Sequence, residues 1–301
     1  MWKYIPALTK GVLNMLNLKK AAALLLLSLL AVSSLSACDE KKPTDTVGAK
    51  ELKVTFLDVG KADAMVLRSE TSTVVIDCGE KGDGKKIASL LEESGTTVID
   101  YLIITHFDKD HVGGASKVLK TFDVKNVLTP DYEGNVSEYE KFAEALAAEN
   151  TNSMKLTEDI SFTLDDVDYT VYAPKKDSYG EDDSSENDFS LVTKAVHHNN
   201  TLLFTGDAME QRLDEIMDIG KCTLLKVPYH GRKLDNLSDF LKAVTPKCAV
   251  VCTDSSTFSG KVQDALKEMD ITTYATCFNG EISAVSDGSK ITIAVEKGSA
   301  L

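Results

Sequence analysis

The chain has 301 residues, of which 43% are hydrophobic, and its formal net charge is −14. That length is ample for one layered domain with a buried core, and the hydrophobic share is ordinary for a globular protein. Residues 1–37 contain four lysines and no acidic residue, so 29 basic and 47 acidic residues give the remainder a net charge of −18. Such acidity opposes non-specific binding to nucleic acid or anionic lipid.

Residues 1–37 are typical of a bacterial lipoprotein signal peptide. Lys19 and Lys20 precede an apolar run over 21–32, which is too short to span a bilayer comfortably but suits a secretory leader. The run ends in Leu-Ser-Ala-Cys38, similar to a lipobox, where cleavage leaves a lipidated cysteine. We expect Cys38 to anchor the protein to the membrane outside the cytoplasm, with 38–50 as a polar tether and 51–301 as the folded domain. An uncleaved anchor, or an ordinary signal peptide with a chance cysteine, is the alternative.

The remaining sequence alternates between strand and helix patterns. Alternating or β-branched runs predict strands, and apolar residues at helical spacing predict helices. The pattern therefore predicts two β-rich halves with helices outside. In chain order, the predicted elements are strands 52–58, 64–68 and 73–77, helix 84–93, strand 101–105, helices 112–121 and 137–149, strands 160–164, 168–173, 188–196 and 201–205, helix 207–218, strand 223–227, helix 235–244, strand 248–252, helix 261–269, and strands 272–275, 281–286 and 290–295.

The stretch 105–114, T-H-F-D-K-D-H-V-G-G, says most about function. It places His106, Asp108, Asp110 and His111 within six positions, directly after a predicted buried strand. A strand end followed by a tight turn brings alternate side chains to one point, and imidazole with carboxylate suits Zn²⁺, Mn²⁺ or Fe. We expect one or two divalent metal ions here, with Zn or Mn favoured. The alternative is a solvated acidic turn, but the chain has only five histidines.

Six ordered motifs resemble those of the metallo-β-lactamase fold. The pattern H-x-D-x-D-H-x-G-G is similar to the first metal motif of that fold, in the variant found in the hydrolase domain of ComEC-type competence proteins. The resemblance extends over about 52–295 and implies an α/β protein, an αββα sandwich with two sheets face to face. The other five motifs, which resemble D-V-G-Q-G-D, I-D-x-G, N-x-x-S-L-V, L-x-T-G-D and L-K-V-x-H-H-G, are Leu57–Ala64, Val75–Gly79, Asn187–Val192, Leu203–Ala208 and Leu225–Gly231.

The resemblance also implies a set of metal ligands. Two cations about 3.5–4 Å apart activate a water molecule and neutralise charge on the leaving oxygen. Asp110 would also orient the nucleophile or relay its proton, and Asp207 would also cap the helix that follows it. One metal would take His106 and Asp108, the second Asp110, His111 and His230, and Asp207 would bridge them.

One departure from the family pattern concerns a missing ligand. Many members have another histidine before the bridging aspartate, and only His197 and His198 are candidates for that position. Asn199-Asn200 beside them predicts a hairpin turn, so we expect both histidines to be exposed and not to bind metal. In ComEC-type domains an Asn-x-x-Ser segment stands in this region, so Asn187 and Ser190 are expected to line the site.

Two further departures lie near the site. Tyr229 replaces the first histidine of the His-His-Gly pair, which leaves a phenol that either donates to an oxyanion or packs. Lys61 and Ala62 replace Gln-Gly, although Asp58 and Asp63 remain. Those two carboxylates are expected either to hold the ligating histidines in place or to be ordinary turn residues.

Besides Cys38, the chain has five cysteines, an odd number for an exported protein. They lack a C-x-x-C spacing, so buried free thiols are the favoured interpretation. A thiolate ligand at Cys78, beside the predicted metal site, is the alternative there. The five are Cys78, Cys222, Cys248, Cys252 and Cys277.

The sequence therefore predicts an extracytoplasmic, lipid-anchored, metal-dependent hydrolase. Resemblance to the competence-protein domain implies phosphodiester cleavage, with DNA as a possible substrate. Hydrolysis of a lactone, β-lactam or other small ester is the alternative activity. A binding lipoprotein that has lost turnover is a third interpretation, against which the intact ligand spacing argues.

Overall fold

Two β-sheets lie face to face at the centre of the computed structural model, which describes residues 51–149, 151–180 and 183–301. Helices cover the outer surface of each sheet, so the expected αββα architecture is confirmed. The predicted leader, tether and lipidation site at Cys38 lie outside the described residues. Within those residues, no helix is long and apolar enough to cross a membrane.

The first sheet has eight strands in the order β15-β14-β1-β2-β3-β4-β5-β6. Its central strands are apolar runs with no exposed residue, as expected for strands covered on both faces. Its strands are β1 Leu52–Phe56, β2 Ala64–Arg68, β3 Thr73–Cys78, β4 Val98–Ile103, β5 Asp123–Pro130, β6 Asn152–Leu156, β14 Ile282–Ser286 and β15 Ile291–Val295. The helices that connect strands β3 to β6 are α1 Gly84–Glu93, α2 Lys109–Val112, α3 Ala115–Leu119 and α4 Ser137–Glu149.

The second sheet has seven strands in the order β13-β12-β11-β10-β9-β8-β7. It combines parallel pairing of β10 to β13 with antiparallel pairing of β7 to β10. Its strands are β7 Ile160–Leu164, β8 Val167–Tyr172, β9 Val192–His197, β10 Asn200–Phe204, β11 Leu224–Lys226, β12 Cys248–Val251 and β13 Thr272–Ala275. The helices in this half are α5 Glu210–Glu215, α6 Leu237–Val244, α7 Gly260–Glu268 and α8 Thr276–Asn279, with 3-10 turns at Asp183–Phe189 and Pro228–Gly231.

Three apolar clusters hold the four layers together. The central cluster lies between the sheets, where the rings of Phe56 and Phe204 approach to 6.1 Å between centroids. A second cluster joins the first sheet to its helices through residues such as Ile87 and Val118, and a third joins the second sheet to residues such as Phe240. Burial of this apolar surface is the main force that fixes the layers.

Several predicted elements differ from the observed ones. Strands β5 and β6 were not predicted, because β5 begins with polar residues and β6 is an edge strand whose first four residues are exposed. The predicted strand 188–196 begins only at Val192, after a 3-10 turn. The predicted helix 207–218 is limited to Glu210–Glu215.

One end of the sandwich, here called the far end, links the sheets by hydrogen bonds. Asp165, in the β7–β8 turn, accepts from the Thr71 and Ser72 backbone N–H groups at 3.0 and 3.1 Å, and from the Ser69 and Thr71 hydroxyls. Residues 69–72 form the turn between β2 and β3 of the first sheet. A carboxylate of the second sheet therefore joins the β7–β8 turn to the β2–β3 turn.

The expected exposure of His197 is wrong. Its side chain is 1% exposed, and its Nδ1 atom lies 2.8 Å from the hydroxyl of Ser286, in strand β14 of the other sheet. Asn200 donates to the same hydroxyl at 2.9 Å. The hairpin turn falls at His198-Asn199, one residue earlier than expected, so His198 is exposed and His197 faces the core as the last residue of β9.

Candidate metal centre

The opposite end of the sandwich, here called the site end, gathers the charged residues of the predicted motifs. Strands β3, β4, β10 and β11 end there, and each carries a polar side chain towards the others, either at its last residues or in the loop that follows. The first sheet contributes Asp77 and the 105–114 loop. The second sheet contributes Asp207 and His230. Loops on the ends of packed strands are where layered α/β proteins commonly build binding sites.

Local backbone geometry sets the direction of these loops. Helix α2 begins after Asp108, which is still extended, so Asp110 and His111 lie in its first turn. Gly206, at φ +53°, precedes the bridging candidate, and a Cβ atom there would lie 2.9 Å from the Thr105 side chain. Only glycine meets both conditions without strain. The β4 and β10 loops therefore approach each other closely.

The predicted ligands of the two sheets meet at His111, Asp207 and His230. Asp207 Oδ2 lies 3.0 Å from His230 Nε2 and 3.5 Å from His111 Nε2, and the two Nε2 atoms are 3.3 Å apart. Asp110 Oδ2 lies 3.5 Å from His230 Nε2. All four side chains are buried. The site thus has a shared centre that neither sheet supplies alone.

The described residues contain four overlapping groups of side chains that could hold a metal ion. In each group the potential ligand atoms lie within 4.8 Å of one another, and every member is buried. The groups share histidines, as expected if adjacent ions occupy one cavity. They are His106, His111 and Asp207; Asp110, His111 and His230; Asp63, Asp207 and His230; and Asp63, Asp77 and His111.

Two buried atoms support the fit of a cation to these residues. His106 Nε2 and Asp207 Oδ1 have no hydrogen-bond partner among the described residues. A buried polar atom without a partner carries a free-energy cost, unless a ligand satisfies it. Imidazole nitrogen and carboxylate oxygen are suitable donors for first-row divalent ions. The residues present therefore fit a metal site, and the identity of the metal stays open.

The electrostatics of the cluster also favour positive charge. Burial alone would lower the pKa of His111, but the carboxylates of Asp207 and Asp77 outweigh it and raise the pKa well above its ordinary value. At His230, the carboxylates of Asp207 and Asp110 likewise outweigh burial and raise the pKa to about 9. The same contacts hold the Asp207 pKa well below its usual range despite burial. Because ligating histidines must be neutral, a cation that binds here displaces protons.

Asp77 is a functional candidate that the sequence analysis missed. Its Oδ1 accepts from the Thr105 backbone N–H at 2.8 Å, and its Oδ2 accepts from the Thr105 hydroxyl at 2.7 Å and lies 2.9 Å from His111 Nδ1. A carboxylate behind a histidine fixes the ring and its tautomer. The signal was present in the motif Val75–Gly79, to whose aspartate the sequence analysis assigned no role.

Lys226 is the second residue that the sequence analysis missed. Its side chain is completely buried and forms an ion pair with Asp63, and its ammonium donates to the Gly206 carbonyl at 2.8 Å. The same nitrogen lies 3.7 Å from Asp207 Oδ1. Burial lowers the pKa of Lys226, but Asp63 and Asp207 outweigh it and raise the pKa above its ordinary value. A fixed cation therefore lies directly beneath the candidate metal centre.

Of the two carboxylates expected to support the histidines, the structure brings one to the site. Asp63 is completely buried and lies 3.6 Å from His230 Nδ1 and 3.9 Å from His111 Nδ1. Asp58 lies in a surface cleft with Lys85 and Lys86 and belongs to none of the four groups. His230 Nδ1 also lies 3.0 Å from the carbonyl oxygen of Cys252, which fixes the ring from below.

The other predicted residues surround the centre. Asp108 belongs to none of the four groups but lies 3.7 Å from His106 Nε2, and its carboxylate is 38% exposed. Ser190 accepts a hydrogen bond from the Asp207 backbone N–H at 3.1 Å, so it positions the loop of that residue. Asn187 is buried and donates to Met209, and Tyr229 is half-buried with its ring against Arg232.

The five cysteines of the described residues are all free, as predicted. Cys78, Cys222 and Cys252 are buried, whereas Cys248 and Cys277 are only partly buried. Cys78 packs in the cluster between the first sheet and its helices and belongs to none of the candidate metal groups. Burial raises the pKa of its thiol well above the ordinary value, which disfavours a thiolate there.

The fold and the loop geometry match a known family. Residues 57–255 match the model of the Metallo-beta-lactamase superfamily, and the chain belongs to that superfamily. Among solved structures, it is similar to the metallo-beta-lactamase fold protein YhfI from Bacillus subtilis. That comparison has a TM-score of 0.51 and 12% identity, over 81% of this chain and 100% of the other.

Two curated relatives are competence or recombination proteins. The chain is 28% identical to ComE operon protein 3 of Bacillus subtilis over 67% of its own length. It is 26% identical to Recombination protein 2 of Haemophilus influenzae over 82% of its length. In each case it spans only 28% of the relative. The chain is also 26% identical to the Competence protein ComA of Neisseria gonorrhoeae over 68% of its length, which confirms the resemblance to competence proteins.

Proposed function

We propose that this protein is a metal-dependent phosphodiesterase that acts outside the cytoplasm and accepts nucleic-acid strands. The observation that carries the proposal is the meeting of His106, Asp110, His111, Asp207 and His230 in a buried site, where atoms such as His106 Nε2 and Asp207 Oδ1 lack a hydrogen-bond partner among the described residues. The names of two relatives refer to competence and recombination, which favours a nucleic-acid substrate over a small ester.

Divalent ions bound in this cluster would supply charge that activates water and stabilises the leaving oxygen. The chain's own residues prepare the rest. Burial opposes ionisation of Asp110, but its contacts with His230, His111 and Lys61 hold its pKa well below the usual range. The carboxylate is therefore ionised and can orient a nucleophilic water molecule by accepting a hydrogen bond from it. Asp77, Asp63 and the Cys252 carbonyl keep the histidine rings in place.

A direct test compares metal content and hydrolysis of three substrate classes. Full-length protein purified in detergent is expected to bind one or two Zn²⁺ or Mn²⁺ ions and to hydrolyse bis(p-nitrophenyl) phosphate in their presence. DNA cleavage is expected to be slower and to fall more steeply with added salt, because a polymer needs basic contacts beyond the metals. Rapid nitrocefin or lactone hydrolysis, with no phosphodiesterase activity under any divalent metal, would establish the small-ester alternative instead.

Substitutions within the cluster separate enzymatic from purely structural roles. Asp110→Ala and His111→Ala are each expected to reduce metal occupancy and to lower kcat/KM by more than about 100-fold, since loss of a supporting residue alone costs 10–100-fold. His198→Ala is the matched control, because this histidine is exposed on the far-end turn. Equal losses in His198→Ala and His111→Ala would contradict the assignment of the site.

The extracytoplasmic part of the proposal rests on the leader sequence. Lipidation of Cys38, after Leu-Ser-Ala, would attach the domain to the membrane through a polar tether. Cys38→Ala is expected to release the protein from the membrane fraction, and Cys277→Ala is a suitable control. An uncleaved N-terminus together with unchanged membrane retention would disprove the lipoprotein assignment.

A further inference from the structure

Two cationic side chains lie on loops that also carry residues of the candidate metal centre. Lys61, in the β1–β2 loop, places its ammonium 2.6 Å from Asp110 Oδ2, and its side chain is 35% exposed. Arg232, two residues after His230, is exposed on the loop that leaves the second sheet. Both are unusual in their setting, because the chain after residue 37 carries a net charge of −18.

The two cations retain donors that can bind a ligand. An ammonium has three N–H donors, and the contact with Asp110 uses one of those of Lys61. Arg232 has no ion pair with any carboxylate among the residues that the structure describes. Its guanidinium lies 5.4 Å from the centroid of the Tyr229 ring, and its backbone N–H donates to the Tyr229 carbonyl at 2.8 Å. The tyrosine therefore orients the arginine but leaves its charge uncompensated.

The two cations are attached to neighbouring parts of the cluster. Lys61 contacts Asp110, whose Oδ2 lies 3.5 Å from His230 Nε2, and Arg232 follows His230 by two residues. Like charges repel, and an anion held between two cations relieves that repulsion. Guanidinium and ammonium groups both bind phosphate, the first with two parallel hydrogen bonds and the second as a point charge.

We propose that Lys61 and Arg232 form a subsite that binds the phosphate backbone of a single-stranded nucleic acid across the opening of the metal centre. The proposal rests on the phosphodiesterase function above and adds how an acidic protein holds a polyanion. Lys61 contacts the phosphate nearest Asp110, and Arg232 contacts a neighbouring phosphate on the outer side. Tyr229 acts as a positioning residue for Arg232, in place of the first histidine of the His-His-Gly pair.

Binding without turnover gives the sharpest test. Full-length protein in detergent, treated with EDTA to prevent hydrolysis, is titrated into a fluorescein-labelled 12-mer of oligothymidylate, and the dissociation constant is measured by anisotropy over a range of salt concentrations. Lys61→Gln and Arg232→Gln are each expected to weaken binding by about 5- to 10-fold. Each is also expected to reduce the slope of log K against log salt by about 0.7, the value for one lost contact with a single strand.

The neighbouring Lys233 provides a matched control. It is also exposed, but it forms an ion pair with Asp235, so Lys233→Gln is expected to leave the salt slope unchanged. Tyr229→Leu tests the positioning role and should produce part of the Arg232→Gln effect, whereas Tyr229→Phe should retain binding because the ring remains. Melting curves of each variant identify any that fail to fold.

The two proposals fail in different ways. Turnover of bis(p-nitrophenyl) phosphate by the wild type, with salt slopes unchanged in both Lys61→Gln and Arg232→Gln, overturns the subsite and leaves the phosphodiesterase function intact. A reduced slope of log K against log salt in these variants supports the subsite. If the wild type at the same time hydrolyses no phosphodiester, the enzymatic function is overturned. Absence of any oligothymidylate binding by the wild type overturns the subsite as well.

Discussion

The two ends of the sandwich both link its sheets, but they use different chemistry. At the far end, Asp165 and His197 make hydrogen bonds whose partners are hydroxyl and backbone groups of the opposite sheet. At the site end, charged groups such as His111 and Asp207 face each other across the sheets, and several buried polar atoms have no hydrogen-bond partner among the described residues. Satisfied polar groups stabilise a fold, whereas unsatisfied buried ones indicate a place for a ligand.

Histidine illustrates the difference between the ends. His197 and His111 are both buried and both lie at the junction of the two sheets. Burial lowers the pKa of His197, and no carboxylate is strong enough to reverse this effect. At His111, by contrast, two carboxylates outweigh burial. The surrounding charges, rather than burial itself, distinguish a candidate metal ligand from a structural histidine.

The largest expected effect tests the buried charge at the site end. Lys226→Met removes the partner of Asp63 and leaves a buried carboxylate uncompensated, so the free energy of unfolding of the metal-free protein should fall by about 3–5 kcal/mol. Urea denaturation measures this change. The double variant Asp63→Asn/Lys226→Met, which removes both charges, should recover part of the loss. A loss below about 1 kcal/mol for Lys226→Met would mean that the ion pair contributes little.

The second prediction compares two carboxylates that each accept a backbone N–H group from a neighbouring strand segment. Asp77→Asn removes the support of His111 at the site end and should weaken metal affinity by about 10–100-fold, measured by calorimetric titration. Asp100 accepts from the Thr73 backbone N–H at 2.8 Å, where β3 begins at the far end. Asp100→Asn should leave metal affinity unchanged. Equal effects of both variants would remove the distinction between the ends.

The third prediction concerns the two adjacent histidines of the far end. His197→Ala removes a buried hydrogen bond to Ser286 and should reduce the free energy of unfolding by about 1–3 kcal/mol. His198→Ala changes an exposed turn residue and should have an effect within about 0.5 kcal/mol. Metal content should be unchanged in both. A fall in metal content with His197→Ala would show that the far end is coupled to the site.

The smallest expected effect is a dependence of stability on pH at the far end. Burial opposes ionisation of Asp165, but hydrogen bonds from Ser69, Thr71 and Ser72 lower its pKa to about 2, below the unfolded value of 3.8. Its contribution to stability is therefore present above about pH 4 and is lost as the pH falls through about 2. Because the group is partly exposed, we expect less than about 1 kcal/mol. Asp165→Asn should reduce the loss of unfolding free energy between about pH 4 and about pH 2, measured by urea denaturation at each pH. An unchanged loss would exclude Asp165 as its source.

The sequence predicted the parts of the molecule that are encoded locally. The 105–114 loop concentrates its histidines and aspartates in one stretch, and Asp207 and His230 follow recognisable strand ends, so their convergence could be anticipated. The fold followed from the same ordered motifs. The assignment of the ligands to two separate metal ions stays a prediction.

The errors concern residues whose role depends on distant partners. His197 was judged from the turn beside it, but its burial depends on Ser286, which is 89 residues away. Lys226 lies in an apolar strand, and only the folded structure brings Asp63 to it. Strand β6 is exposed along most of its length and exists because β5 supplies its hydrogen bonds. Local periodicity contains none of this information.

The hydrogen-bonded turns of the far end also constrain how the molecule can move. Asp165 and Ser286 join the two sheets at this end, and the buried ion pair between Lys226 and Asp63 joins them at the site end. Sliding one sheet over the other would therefore break polar contacts at both ends of the sandwich. A cation bound between His111 and Asp207 would add one more link between sheets that are already held in register.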